Sequence, residues 1–173
     1  AWRSRLDILV NNAGINVRGP IGSLALDDFN KVLAVNLGGP LLGMKHAAPA
    51  IGRAGGGSIV NITSNISLIP SRSAAYASSK WGLRGLTRTL RQELRDAPDI
   101  HICTLAPGGV DTPIYTSAAN YAGRIGRPPP PVDKPERMAD AILRLADKPR
   151  AEMSVGATNR LFEFCFVVLP PVY

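Results

Sequence analysis

The chain has 173 residues, 45% of them hydrophobic and 19% charged, with a net charge of +7. That length suits one domain, and the balance is that of a globular protein rather than a disordered one. No apolar run approaches the ~20 residues that span a bilayer, no secretory signal opens the chain, and Cys103 and Cys165 suggest neither a disulfide framework nor a metal cluster. A cytoplasmic location without metal is therefore expected. The excess charge comes mainly from scattered arginines without interleaved aromatics. It reads as a solvated basic face, and neither a nucleic-acid nor a membrane partner is expected.

In chain order, four short apolar runs stand out as strands: Leu6–Val10, Ser58–Ile62, Ile100–Leu105 and Glu152–Val155. Segments of helical period separate them, which predicts βαβ units around a parallel sheet. Such strands are buried on both faces and read as continuous apolar runs, as Ile8-Leu9-Val10 does. The first helix starts near Leu26, with Leu26, Phe29, Val32, Leu33 and Leu37 on one face and Asn36 among them. Its start lacks a good cap at Ala25, and Pro40 is expected to bend or break it. A second helix covers about Ser73 to Arg95. Leu83, Leu86, Leu90 and Leu94 form its core stripe, and Arg84, Arg88, Arg91 and Arg95 a neighbouring one. Gly82 and Gly85 suit close packing against the sheet or another subunit. From Thr112 to about Lys134 the chain reads as a loop, with prolines at 128–131. A helix follows from Pro135 to Ala146, and Leu161–Tyr173 reads as either a short helix or an unpaired tail.

Four constellations carry the chemistry. Asn11-Asn12-Ala13-Gly14 follows the first strand; Asn36 sits on the apolar face of the first helix; Ser64 follows the second strand and precedes Tyr76-Ala77-Ser78-Ser79-Lys80; Pro107-Gly108-Gly109-Val110-Asp111-Thr112 follows the third. Taken singly, each has an ordinary structural explanation: a turn, a satisfied core amide, a strand-end hydroxyl, a helix surface pair. Together they occur in one order at strand ends and on helix faces, and in α/β sheets the ligand crevice lies at the carboxyl ends of the strands.

In these motifs, and in the phrases LDILVNNAGI, VNLGG, GSIVNITS, YASSK and LAPGGVDTP, the chain resembles the short-chain dehydrogenase/reductase family over about residues 5–156. The resemblance implies a Rossmann-like three-layer α/β/α fold with a parallel sheet. Residues 1–156 would form its catalytic part and 157–173 an apolar tail. It further implies NAD(P)-dependent interconversion of a secondary alcohol and a ketone, with a small-molecule substrate and a homodimer or homotetramer. Tyr76 matches the proton donor and acceptor, and Lys80, one turn on, the cation that favours its phenolate. Lys80 would also hydrogen-bond the nicotinamide ribose. Ser64 matches the residue that polarises the substrate oxygen, and Asn36 the residue whose backbone holds a relay water. Asn11, Ala13 and Gly14 match the adenosine wall, while Pro107, Gly108, Val110 and Thr112 match the loop over the carboxamide.

Two departures accompany the match. Ser64 lies twelve residues before Tyr76, one fewer than the family pattern, which leaves Thr63 as a rival. The family's glycine-rich turn, and the residue that chooses NAD or NADP, do not occur in these residues. An amino-terminal βαβαβ half is therefore expected ahead of Ala1. Residues 1–173 alone are expected to be inactive, weak in cofactor affinity and prone to association through an unpaired edge at Leu6–Val10. A 3-oxoacyl reductase acting on carrier-linked substrates and a non-catalytic Rossmann-like binding module are the alternatives.

Overall fold

A computed structural model describes residues 5–71, 73–117, 119–120, 126–156 and 158–169. In chain order the strands are β1 (Ile8–Asn11), β2 (Val17–Arg18), β3 (Gly57–Ile62), β4 (Ile100–Pro107), β5 (Gly109–Val110), β6 (Ala119–Asn120), β7 (Val132–Asp133) and β8 (Glu152–Val155). The helices are α1 (Leu26–Leu33), α2 (Gly39–Arg53), α3 (Ala74–Glu93), α4 (Ile114–Ser117), α5 (Pro135–Asp147) and α6 (Asn159–Val168). The main sheet has the order β1-β3-β4-β8, with every pair parallel. Its strands match the four predicted runs closely.

Alternation along the strands divides the core into two layers. Ile59 and Ile102 point to one face, where Met44, Ala47, Ala48 and Ile51 of α2 and Leu86 and Leu90 of α3 cover them. Val60, Cys103 and Leu105 point to the other face, under Met138, Ala141 and Leu145 of α5. The result is the three-layer Rossmann-like arrangement that the sequence implied. Among the described residues β1 pairs only with β3, and Ile8 and Val10 on its α5 side are 46% and 37% exposed. No helix of the described residues is long and apolar enough to cross a membrane.

The structure departs from the sequence reading in three places. At Pro40, expected to bend or break the first helix, the helical path does not end, and the irregularity falls just before it. A π-helical turn over Ala34–Gly38 joins α1 to α2, and the helical path runs on to Arg53. A proline in a helix clashes with the carbonyl four residues earlier and offers it no N–H. The wider turn absorbs that misfit, and the affected carbonyl belongs to Asn36.

Not all of the basic charge is a solvated face either: Arg95 is exposed, but three arginines of α3 make long-range contacts. Arg84, 12% exposed at its side chain, bonds Glu152 at 2.8 Å and Glu163 at 3.0 Å, and Arg88 bonds Glu152 at 2.7 Å. Arg91 donates to the carbonyls of Ile102 and Ala151. Burial alone would raise the Glu152 carboxyl, but Arg88 and Arg84 outweigh it and hold the group at about 2. These contacts lock α3 to β8 and α6.

Finally, the stretch after Thr112 contains elements. β7 pairs with β5 and β6 pairs with β2, both parallel, while residues 118 and 121–125 lie outside the described set. Leu161 to Val168 falls in α6, which settles helix against tail for that part; residues 170–173 lie outside the described residues. Gly82 does allow a close approach, since a Cβ there would stand 3.0 Å from Leu37, whereas Gly85 faces open space.

Candidate active site

Because the strands are parallel, the segments leaving β1, β3 and β4 all emerge at one edge of the sheet, where a cleft of about 1170 Å³ opens. Drug-sized ligands occupy roughly 300–1,000 Å³, so the cleft has room for a substrate beside a larger group. Gly14, Ser64, Tyr76, Lys80, Pro107, Gly108, Val110 and Thr112 line it.

Tyr76 and Lys80 stand one turn apart on α3, and the Lys80 ammonium lies 5.5 Å from the centre of the Tyr76 ring. Lys80 is 3% exposed, and its Nζ donates to the Ile62 carbonyl at 2.8 Å. Burial pushes its pKa down to about 8. Burial likewise pushes the Tyr76 phenol up to about 12, helped by Tyr115 and opposed by the Ser64 hydroxyl. The sequence suggested the reverse, a phenol drawn down by the lysine. In this cleft the cost of burying a phenolate outweighs the nearby cation.

Thr63 and Ser64 both line the cleft, and their hydroxyls go to different partners. Thr63 Oγ1 donates to the Leu105 carbonyl at 3.0 Å and so belongs to the floor of the sheet. Ser64 Oγ donates to Asn65 and accepts from the Ile66 amide at 3.3 Å, and it is the hydroxyl that reaches Tyr76. We expect Ser64→Ala to lower turnover by about 100-fold, the usual loss for one positioned donor. Thr63→Ala should instead lower stability by about 1 kcal/mol. Paired kinetics and urea titrations check this; a larger kinetic loss at Thr63 would contradict it.

Asn36 is fully buried and acts as a clamp. Its Oδ1 accepts from the Ile15 amide at 2.8 Å, and its Nδ2 donates to the Ile15 carbonyl at 2.9 Å and to Ser79 Oγ at 3.0 Å. Ser79 in turn donates to the Tyr76 carbonyl. The wall after β1 is thereby pinned to α3 beside Lys80. At Gly14 a Cβ would lie 3.6 Å from Asn36 Oδ1 and 3.7 Å from Lys80 Nζ. That wall is thin where it meets the lysine.

Asn11 and Ala13 do not line the cleft. Asn11 turns toward α2, where Gly43 leaves it space: a Cβ there would stand 2.6 Å from Asn11 Oδ1. Asn11 Nδ2 donates to Asn61 at 2.7 Å, and Asn61 donates to Thr87 Oγ1 and Met44 Sδ. This ladder ties β1 to β3 and α3. Asn61 was missed, although a polar residue within a buried strand requires partners and signals such a network. Asn159 was missed too. It is 3% exposed and donates to the carbonyls of Ala106 and Val155, bracing the loop that begins at Pro107. Ile66, Ile69, Met138, Ile142 and Phe162 complete an apolar wall that sequence spacing did not reveal.

The site suits a dinucleotide with its substrate. Three cationic side chains, Arg18, Lys80 and Arg127, line the cleft, and no carboxylate is found among its described lining residues. Ser64, Tyr76 and Thr112 add hydroxyls.

Comparison with known proteins agrees with this geometry. The family model described as short chain dehydrogenase matches residues 2–121. Trans-4-hydroxycyclohexanecarboxylate dehydrogenase of Sinomonas cyclohexanicum is 40% identical over 144 residues, covering 82% of this chain and 53% of that protein. The cis-4-hydroxycyclohexanecarboxylate dehydrogenase of the same organism is 35% identical over 161 residues, covering 88% of this chain and 62% of that protein. The chain thus spans about half to three-fifths of the length of these relatives. Among solved structures, a gluconate 5-dehydrogenase from Burkholderia cenocepacia J2315, in complex with NADP and tartrate, superposes with a TM-score of 0.76 at 25% identity. That match covers 91% of this chain and 66% of the other. An alcohol dehydrogenase from Thermococcus sibiricus, complexed with 5-hydroxy-NADP, gives 0.70 at 29% identity, covering 87% and 63%.

Proposed function

Because the chain belongs to the short-chain dehydrogenase/reductase family, we propose that the protein is an NAD(P)-dependent oxidoreductase that interconverts a secondary alcohol and a ketone. The observation that carries this reading is the meeting of Ser64, Tyr76 and Lys80 in one cleft at the carboxyl edge of the sheet. When bound, the nicotinamide supplies or accepts the hydride. Lys80, Pro107, Gly108, Val110 and Thr112 would hold it, with Gly14 on the adenosine side.

The chain's own residues manage the proton. In reduction the Ser64 hydroxyl polarises the substrate carbonyl, and Tyr76 gives its phenolic proton to the oxygen. The buried Lys80 ammonium stabilises the phenolate left behind. In oxidation the same atoms run backwards, with Tyr76 Oη taking the alcohol proton. The Asn36 clamp keeps the wall and α3 in register, and Pro40 leaves the Asn36 carbonyl without its α-helical donor, ready for a water beside Lys80. The apolar wall excludes bulk water from the reacting oxygen.

The names of the two Sinomonas relatives support a ring-borne secondary alcohol as substrate. The outer faces of α2 and α3 leave Leu41, Leu42 and Trp81 exposed, which supports a homodimer or homotetramer formed there. A cytoplasmic setting fits a reduced Cys103 in the core.

The test is a panel of cyclic and acyclic secondary alcohols and their ketones, offered to the full-length protein with NAD(H) and NADP(H) and followed by nicotinamide absorbance. Turnover of at least one alcohol–ketone pair is expected. Exclusive activity on carrier-linked 3-oxoacyl substrates would favour the alternative instead.

A further inference from the structure

Arg18 has no role in the proton chemistry described above, yet it lines the same cleft. Its guanidinium lies 5.3 Å from the centre of the Tyr115 ring, within the range of a cation–π contact. Among the described residues no carboxylate forms an ion pair with it, whereas Arg84, Arg88 and Arg137 all have one. The strand that carries Arg18 is held in place. Ser73 Oγ donates to Asn16 Oδ1 at 2.8 Å and approaches the Val17 carbonyl at 3.4 Å, and Ser73 stands just ahead of α3, less than one turn before Tyr76. A planar cation is thus carried on a held strand into the same cleft as Tyr76, packed against Tyr115 and Gly126. Opposite chemistry supplies the rest of the surface, with Ile66, Ile69, Met138, Ile142 and Phe162 in the lining.

We propose that Arg18, steadied on the Tyr115 ring, is the specificity residue that binds a carboxylate carried by an otherwise apolar substrate. This rests on the oxidoreductase reading and narrows its substrate class. A guanidinium fork donates two parallel N–H bonds to the two oxygens of a carboxylate, an arrangement that a neutral ester or amide cannot reproduce. The apolar wall takes the hydrocarbon body, and the carboxylate, rather than the alcohol, sets which way the molecule lies in the cleft. Of the two other cations in the cleft, Lys80 is buried and donates to Ile62, which leaves Arg127 as the rival for the anion; an Arg127→Leu variant that loses the carboxylate preference while Arg18→Leu keeps it would overturn the assignment.

The experiment measures binding, so that it stands apart from turnover. Cyclohexanecarboxylate and cyclohexanecarboxamide are titrated by calorimetry into the full-length protein and into Arg18→Leu, Arg18→Lys and Tyr115→Leu. The wild type is expected to bind the carboxylate at least about 10-fold more tightly than the amide, the usual advantage of a charge-assisted pair. Arg18→Leu should erase that preference, and Arg18→Lys and Tyr115→Leu should keep part of it. Equal affinity of the wild type for the two ligands overturns the proposal, as does absence of binding to either in the millimolar range. So does an Arg18→Leu loss shared equally by both, or one confined to NAD(P)H affinity. If the carboxylate preference holds while no alcohol–ketone pair is turned over, the oxidoreductase reading fails and the anion site remains.

Discussion

Replacing Tyr76 by phenylalanine is expected to lower turnover by about 100- to 10,000-fold, the span that general acid–base groups contribute. The substitution removes only the phenolic oxygen. The ring is kept, and with it the 5.5 Å contact to the Lys80 ammonium. The Tyr76 carbonyl, which accepts from Ser79, is backbone and does not change. Stability should therefore move little, and could even rise, because the buried phenol is itself costly to desolvate. Steady-state kinetics on any active alcohol–ketone pair, with an unfolding titration alongside, separates loss of chemistry from loss of fold. Retention of more than about a tenth of the activity would remove Tyr76 from the proposed role.

Lys80→Met is expected to cost about 100-fold or more, since it deletes the cation that offsets a buried phenolate. It also leaves the Ile62 carbonyl without its side-chain donor, so a structural loss has to be separated from an electrostatic one. Two readouts do this. Lys80→Arg keeps a charge that persists to pH ~12 or above and should recover part of the activity. The pH dependence provides the second readout. Lys80 has its pKa lowered to about 8, so it is charged below that pH and neutral above it. Reduction that depends on the ammonium should decline above about 8 in the wild type and keep its rate to higher pH in Lys80→Arg. A purely structural role would scale the whole profile and leave its shape alone.

Much of the fold was legible because its signals are local. β3 and β4 are buried on both faces, so Ile59-Val60 and Ile102-Cys103 read as apolar runs, and the leucines of α3 recur at helical spacing. The meeting of Ser64, Tyr76 and Lys80 was legible for a different reason: parallel strands bring all their carboxyl ends to one edge. What escaped depends on partners distant in sequence. Nothing near Arg84 or Arg88 announces Glu152, more than sixty residues on, so charges that dock β8 and α6 looked like a solvated face. Asn11 shares a motif with Gly14, but strand alternation and the space at Gly43 turn its side chain away from the cleft. At Pro40 the rule against proline in helices was correct about the strain. It did not show that a π turn would relieve that strain at the residue whose side chain clamps the wall. The Tyr76 phenol rose rather than fell because burial is a property of the whole cleft and cannot be read from a four-residue spacing.

The most direct test of the proposed proton system is kcat/KM for ketone reduction by the full-length protein from about pH 6 to about pH 10, since this ratio reports the groups of the free enzyme. The Tyr76 phenol, at about 12, stays protonated throughout, and Lys80 alone of the pair titrates, at about 8. A level rate below about pH 8 that falls by up to about tenfold per unit above it is the predicted result; a rate that stays level or rises through that window would contradict the account.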